Sequence, residues 1–157
     1  MGRYLNSPWS REISLSDAIA LVEHVRNAAA LGAREGLDEL ARSVVVPIAS
    51  ITIRTCPALP ATTEERIIDT RAATVADSVM YRETLAVAAL ARDWSVHWYD
   101  RDGVFGDAAD ALGGEDIETF LQRMGRTIGP PWQAKHKLAA AAALAVIRLP
   151  ASPAKKD

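Results

Sequence analysis

The sequence predicts a helix-rich α/β domain: a small, mainly parallel sheet with a strand–helix–strand core over residues 44–100, covered by five or six helices. Three observations carry this reading. Residues 44–56 and 95–100 read as extended runs, and 50–56 and 95–100 alternate with the period of two that suits a half-buried strand. Residues 63–92, between them, carry apolar side chains at helical spacing, and a helix joining two strands usually makes them parallel. The remaining segments are helical in pattern and are punctuated by prolines and by Gly113-Gly114.

Taken in order, Ser16-Asp17 offers a helix start, because short polar side chains accept hydrogen bonds from the first free N–H groups. The helix runs through Ile19, Val22 and Val25 toward Leu31, and Gly32 and Gly36 are expected to weaken or interrupt it before a second piece over 37–42. In the first strand Ile51 and Ile53 point one way and Ser50, Thr52, Arg54 and Cys56 the other; Pro47 removes a ladder donor and puts the strand's start at an edge or bulge. Pro57 and Pro60 stiffen the following loop, and Thr62 or Thr63 with Glu65 opens the central helix. In the second strand Val96, Trp98 and Asp100 share one side and Ser95, His97 and Tyr99 the other. Three helices follow: 104–112, ended by the two glycines; 115–126, with acids first and Arg123 and Arg126 last, as the helix dipole favours; and 132–148, stopped by Pro150. Two strands make a poor sheet alone. Either further strands lie near Tyr4–Leu5 and Glu12–Leu15, or a second chain completes the sheet, which makes a homodimer one expectation.

A chain of 157 residues, 49% hydrophobic and 24% charged, fits one globular domain over 1–150 with a flexible basic tail over 151–157. The lone Cys56 excludes an internal disulfide and a cysteine-based metal site. With no apolar run of signal-peptide or membrane-spanning length, the expected location is the cytoplasm and no membrane partner is expected. The net charge of −2 hides a polarity. Residues 121–157 hold seven Lys/Arg and one Asp, so they carry +6 and the rest −8. Arg123, Arg126, Lys135, Lys137 and Arg148 are therefore the candidates for touching phosphates of a nucleic acid, against the plainer reading of a solvated helix face.

Ligands of parallel sheets gather at the carboxyl ends of the strands. Those ends carry Arg54 and His97-Trp98-Tyr99-Asp100. If the face of His97 and Tyr99 is also that of Arg54 and Cys56, four polar groups converge; otherwise the two aromatic-flanked residues are core. Arg82 falls inside the apolar face of Val75, Val79, Ala86, Ala89 and Leu90. It therefore needs a carboxylate such as Glu83 or Asp77, an outlet to water, or an anion to bind. Asp77 and Tyr81 stand one helical turn apart. His136, between Lys135 and Lys137, is a capping group or a base. The candidate catalytic residues are thus Asp77, His97, Asp100 and His136, and the candidate anion-binding residues Arg54, Tyr81 and Arg82. No paired histidines at metal spacing and no glycine-rich phosphate loop occur, so no metal ligands and no cofactor are nominated, except a divalent metal if the chain is a hydrolase.

The segments Arg82-Glu83-Thr84-Leu85-Ala86 through Trp94-Ser95-Val96-His97-Trp98-Tyr99, with Trp132-Gln133-Ala134-Lys135-His136-Lys137-Leu138-Ala139, resemble a helix, a strand and the last helix of the RNase H-like fold used by RuvC-type Holliday-junction resolvases. That family's last helix carries Asp-His-x-x-Asp. His136 falls on its histidine, Lys135 and Ala139 fall on its two acids, and Arg54 falls near its strand glutamate. The fold's first three strands have no counterpart in residues 1–15. The resemblance implies a relative that has lost the carboxylates two-metal hydrolysis needs. Gly129-Pro130-Pro131-Trp132 with His136-Lys137 also looks like segments of bacterial proteins of unassigned function. The expectation is a non-enzymatic interaction or scaffold domain that binds a protein or itself, with nucleic acid as a further candidate partner; the alternative is a metal-dependent, nuclease-like hydrolase.

Overall fold

The computed structural model describes residues 13–147; the expected tail, Tyr4–Leu5 and Arg148 lie outside the described residues. The element order is α1 (Leu15–Ser43), β1 (Ser50–Arg54), α2 (Thr63–Ile68), α3 (Thr70–Leu90), β2 (Ser95–Tyr99), α4 (Val104–Ala111), α5 (Ile117–Ile128) and α6 (Ala134–Ala145). β1 and β2 pair in parallel, and they are the sheet among the described residues. The fold is therefore the helix-rich α/β class with a small parallel sheet.

Local chemistry sets most boundaries. Ser14 caps α1, its Oγ accepting from the Asp17 N–H at 3.1 Å, two residues ahead of the expected start. Gly32 and Gly36 do not break α1. A helical glycine costs about 1 kcal/mol against alanine, which the neighbouring turns of a long helix absorb. β1 is shorter than expected: the chain is extended at Val44, but hydrogen-bonded pairing begins only beyond Pro47. Thr62 and Glu65 form a capping box at α2, the Thr62 N–H donating to Glu65 Oε2 at 3.0 Å and the Glu65 N–H to Thr62 Oγ1 at 3.2 Å. The expected central helix divides at Asp69. Its backbone N–H ends α2 on the Glu65 carbonyl, while its Oδ1 accepts from the N–H groups of Arg71 and Ala72 and starts α3. Gly113 and Gly114, at φ 75° and 84°, turn the chain out of α4 as expected.

The contacts of the chain group into two compact units. Of the described residues, one unit comprises 13–46 and 56–88. In it α1 packs against α2, and Leu37, Ala72, Val79, Met80 and Ala86 are buried. The other comprises 47–55 and 89–147, and holds both strands. There α4 and α6 make the closest helix pair, and α6 also meets β1. Ala108, Ala141 and Ala142 are buried in that seam beside Val104, Leu121 and Leu144. Methyl-sized side chains let the two backbones approach, so the alanine run of α6 is spent on packing rather than left wholly as an open face. Tyr99, Phe120, Met124 and Trp132 close the rim of this core. Leu90, expected on the apolar face of α3, is instead exposed in its last turn.

Candidate functional site

Parallel pairing decides which faces match. Ile51 pairs with Val96 and Ile53 with Trp98; Thr52 pairs with His97 and Arg54 with Tyr99. Partners in a ladder point to the same side, so Thr52, Arg54, His97 and Tyr99 do share a face. The Thr55 N–H donates to the Tyr99 carbonyl at 2.9 Å and carries the ladder past the ends of both strands.

On that side lies an open groove of about 720 Å³ in the second unit. Thr52, His97, Trp98 and Tyr99 line it from the sheet. Asp100, expected on the side opposite His97, follows the end of β2, where the strand alternation no longer holds, and joins them; α4 adds Asp107 and Asp110. Alanines of α4 and α6, Ala111, Ala142 and Ala145, line the rest with Val146 and Ile147. Asp100 also holds the turn into α4: its Oδ1 accepts from the Asp102 N–H at 2.9 Å and its carbonyl from the Val104 N–H at 3.1 Å. The groove has three carboxylates, one imidazole and one phenol, and neither lysine nor arginine in its lining. Such a wall repels phosphate and suits a neutral or cationic guest. Among the described residues no group of three or more His, Cys, Asp or Glu side chains is placed to hold a metal ion.

Of the expected catalytic residues, His97 and Asp100 are therefore brought to one groove. Asp77 is in the first unit, where it lines a small pocket with Arg26 and Arg66. His136 is on α6, and its Nδ1 accepts from the Gln133 N–H at 3.1 Å while its ring stacks on Trp132. That is the capping role. Arg54 is exposed at the end of β1 and does not line the groove. Tyr81 and Arg82 are on α3 in the first unit, Tyr81 exposed and Arg82 half-buried. Among the basic candidates, Arg123 is ion-paired with Glu115 and lies 5.7 Å from the Phe120 ring centroid. Arg126 and Lys135 are exposed, and Lys137 lines a small pocket beside Glu118. Asp107 and Asp110 were absent from the candidates drawn from the sequence. Their spacing of three on a helix just after Asp100 is the signal that marks them as neighbours on one face.

The carboxylates with displaced acidity lie outside the groove. Asp116, the cap of α5, is held below the usual carboxylate range by the Thr119 hydroxyl and then by backbone N–H groups. Glu65 is held low by the Thr62 backbone N–H and then by its hydroxyl.

No family model, no curated protein and no solved structure matches this chain.

Proposed function

We propose that this protein is a non-enzymatic interaction domain whose partner is another protein or a second copy of itself. One observation carries the reading. The large buried apolar side chains of the described residues are Leu37, Ile53, Val79, Met80, Val104, Leu121 and Leu144, whereas seventeen large hydrophobic side chains are exposed. Scattered exposed leucines are ordinary, but an excess of this size, eleven of the seventeen on the five helices α1 to α5, marks surfaces meant to be covered. Among the described residues no helix is long and apolar enough to cross a membrane.

The test is sedimentation of the full chain from micromolar to millimolar concentration, with fluorescence of an apolar dye such as anilinonaphthalene sulfonate. Self-association, or bright dye on a cooperatively folded chain, supports the reading. A monomer that leaves the dye dark overturns it.

Association with nucleic acid is the finer part of the proposal, and it rests on the exposed Arg126 and Lys135 rather than on the acidic groove. Gel retardation of single- and double-stranded probes at two salt concentrations checks it; no retardation at low salt removes it. Descent from an RNase H-like fold belongs to the same proposal and draws on the order of strand, helix and strand. The second reading, a metal-dependent hydrolase, draws on His97, Asp100, Asp107 and Asp110 lining one groove; since no metal-holding cluster occurs among the described residues, a divalent ion would have to draw these side chains together and offset their repulsion of phosphate. Manganese-dependent phosphodiester hydrolysis lost in Asp100→Asn would favour it over the first.

A further inference from the structure

Helix α1 has 29 residues, roughly 43 Å at 1.5 Å per residue, yet the one buried residue along it is Leu37. Its outer side carries a stripe at alternating steps of four and three: Asp17, Leu21, His24, Ala28, then Leu31, Glu35, Asp38 and Arg42. All eight are exposed, Leu21 at 56% and Leu31 at 52%. The spacing is that of a two-helix seam, with Leu21, Ala28 and Leu31 as its apolar positions and charged side chains toward its ends.

We infer that the stripe is where a second copy of this chain docks, α1 against α1, antiparallel, about a two-fold axis between Ala29 and Ala30. The inference rests on the interaction-domain reading and names its partner and surface. Charge selects the arrangement. With the axis there, Asp17 faces Arg42 of the second copy, His24 faces Glu35, and Ala28 faces Leu31, each pair occurring twice by symmetry. A parallel pair would set Asp17, Glu35, Asp38 and Arg42 each against its own kind, four like-charge layers that oppose association. Small against large in the Ala28–Leu31 layers lets the axes draw close at the centre. The stripe continues into a largely apolar groove of about 590 Å³ that α1 forms with α3, lined by Val25, Ala28, Tyr81 and Leu85 among others. Gly32, on the same rim, has nothing within 4 Å of where a Cβ would lie, leaving room for the incoming helix. The poorest layer is Leu21 over Asp38.

Sedimentation equilibrium of the full chain should give twice 16.9 kDa. Leu31→Glu should return it to the monomer with its helical circular dichroism intact. Glu35→Lys should raise the dissociation constant at least about threefold, since it puts a cation in place of the carboxylate facing His24 at two symmetric positions, and adding His24→Glu should restore it. Asp38→Leu should tighten the dimer. In a Cys56→Ser background, an oxidised mixture of Ala28→Cys and Leu31→Cys chains should give the mixed disulfide in preference to either homodimer.

A chain that stays monomeric throughout overturns the inference; bright apolar dye on that monomer would leave the interaction-domain reading standing, and dark dye would remove both. A dimer indifferent to Leu31→Glu, with no preference for the mixed disulfide, overturns the α1 register alone.

Discussion

Gly125 is favoured over any larger residue for a steric reason. A Cβ on it would collide with the indole of Trp132, at Cγ, Cδ1 and Nε1 together. The indole is a rigid ring on the rim of the buried core, so the neighbour cannot yield as a flexible side chain would. Gly125→Ala is expected to cost about 1–3 kcal/mol, the range of overpacked sites, read as a fall in the urea midpoint at unchanged slope. His136 gives a subtler test, because its ring nitrogen caps α6. His136→Ala should lower the melting temperature and His136→Glu should recover most of the loss, since a glutamate at the third helical position also accepts from the cap N–H. If His136 were instead a base, both substitutions would be equally damaging to activity and neither would move stability. Asp116 and Glu65 bind their protons less readily when folded than when unfolded. Their contribution is thus present above the unfolded carboxylate range near pH 4 and lost as pH falls through the lower folded values. Asp116→Asn with Glu65→Gln should flatten the acid limb of the stability–pH curve.

At the scale of elements, α1 offers the clearest expectation. Gly36 is exposed in the interior of a continuous helix, with nothing within 4 Å of a Cβ. Gly36→Ala should stabilise the chain by up to about 1 kcal/mol, measurable by chemical denaturation. The same position shows why sequence reading split the helix: propensity is local and cannot see how many turns stand on either side. The Thr62–Glu65 cap was legible because all of its partners lie within three residues. So were the glycine stop after α4 and the alternation in both strands. Asp69 was harder, since one side chain both follows one helix and opens another within an unbroken apolar pattern. Val44, Val45 and Val46 read as strand on composition and are exposed instead; only the absence of a pairing neighbour distinguishes the two cases.

For the whole molecule, the parallel pairing of residues 50–54 with 95–99 was expected from the helical connection between them, and it places His97 and Asp100 at one groove. That Asp107 and Asp110 join them depends on α4 folding back beside β2, a tertiary fact that no local pattern contains. The converse holds for Asp77, Tyr81 and Arg82. Their helix was expected to serve the strands it connects, yet through Ala88 its contacts group it with α1 and α2. A connection's position in the chain fixes what it joins but not what it packs on.

The path between the two units has a consequence for synthesis. Ser50 finds its partner at Ser95, forty-five positions later. At about 5–20 residues per second, a ribosome leaves the Ile51–Ile53 segment waiting roughly 2–9 s before its ladder mate has even been made. During that delay a short β-prone stretch, preceded by three consecutive valines, travels unpaired on the nascent chain. Translation speed across codons 55–99 is thus a lever on yield: slower decoding lengthens the period in which two nascent chains on one messenger can stick to each other.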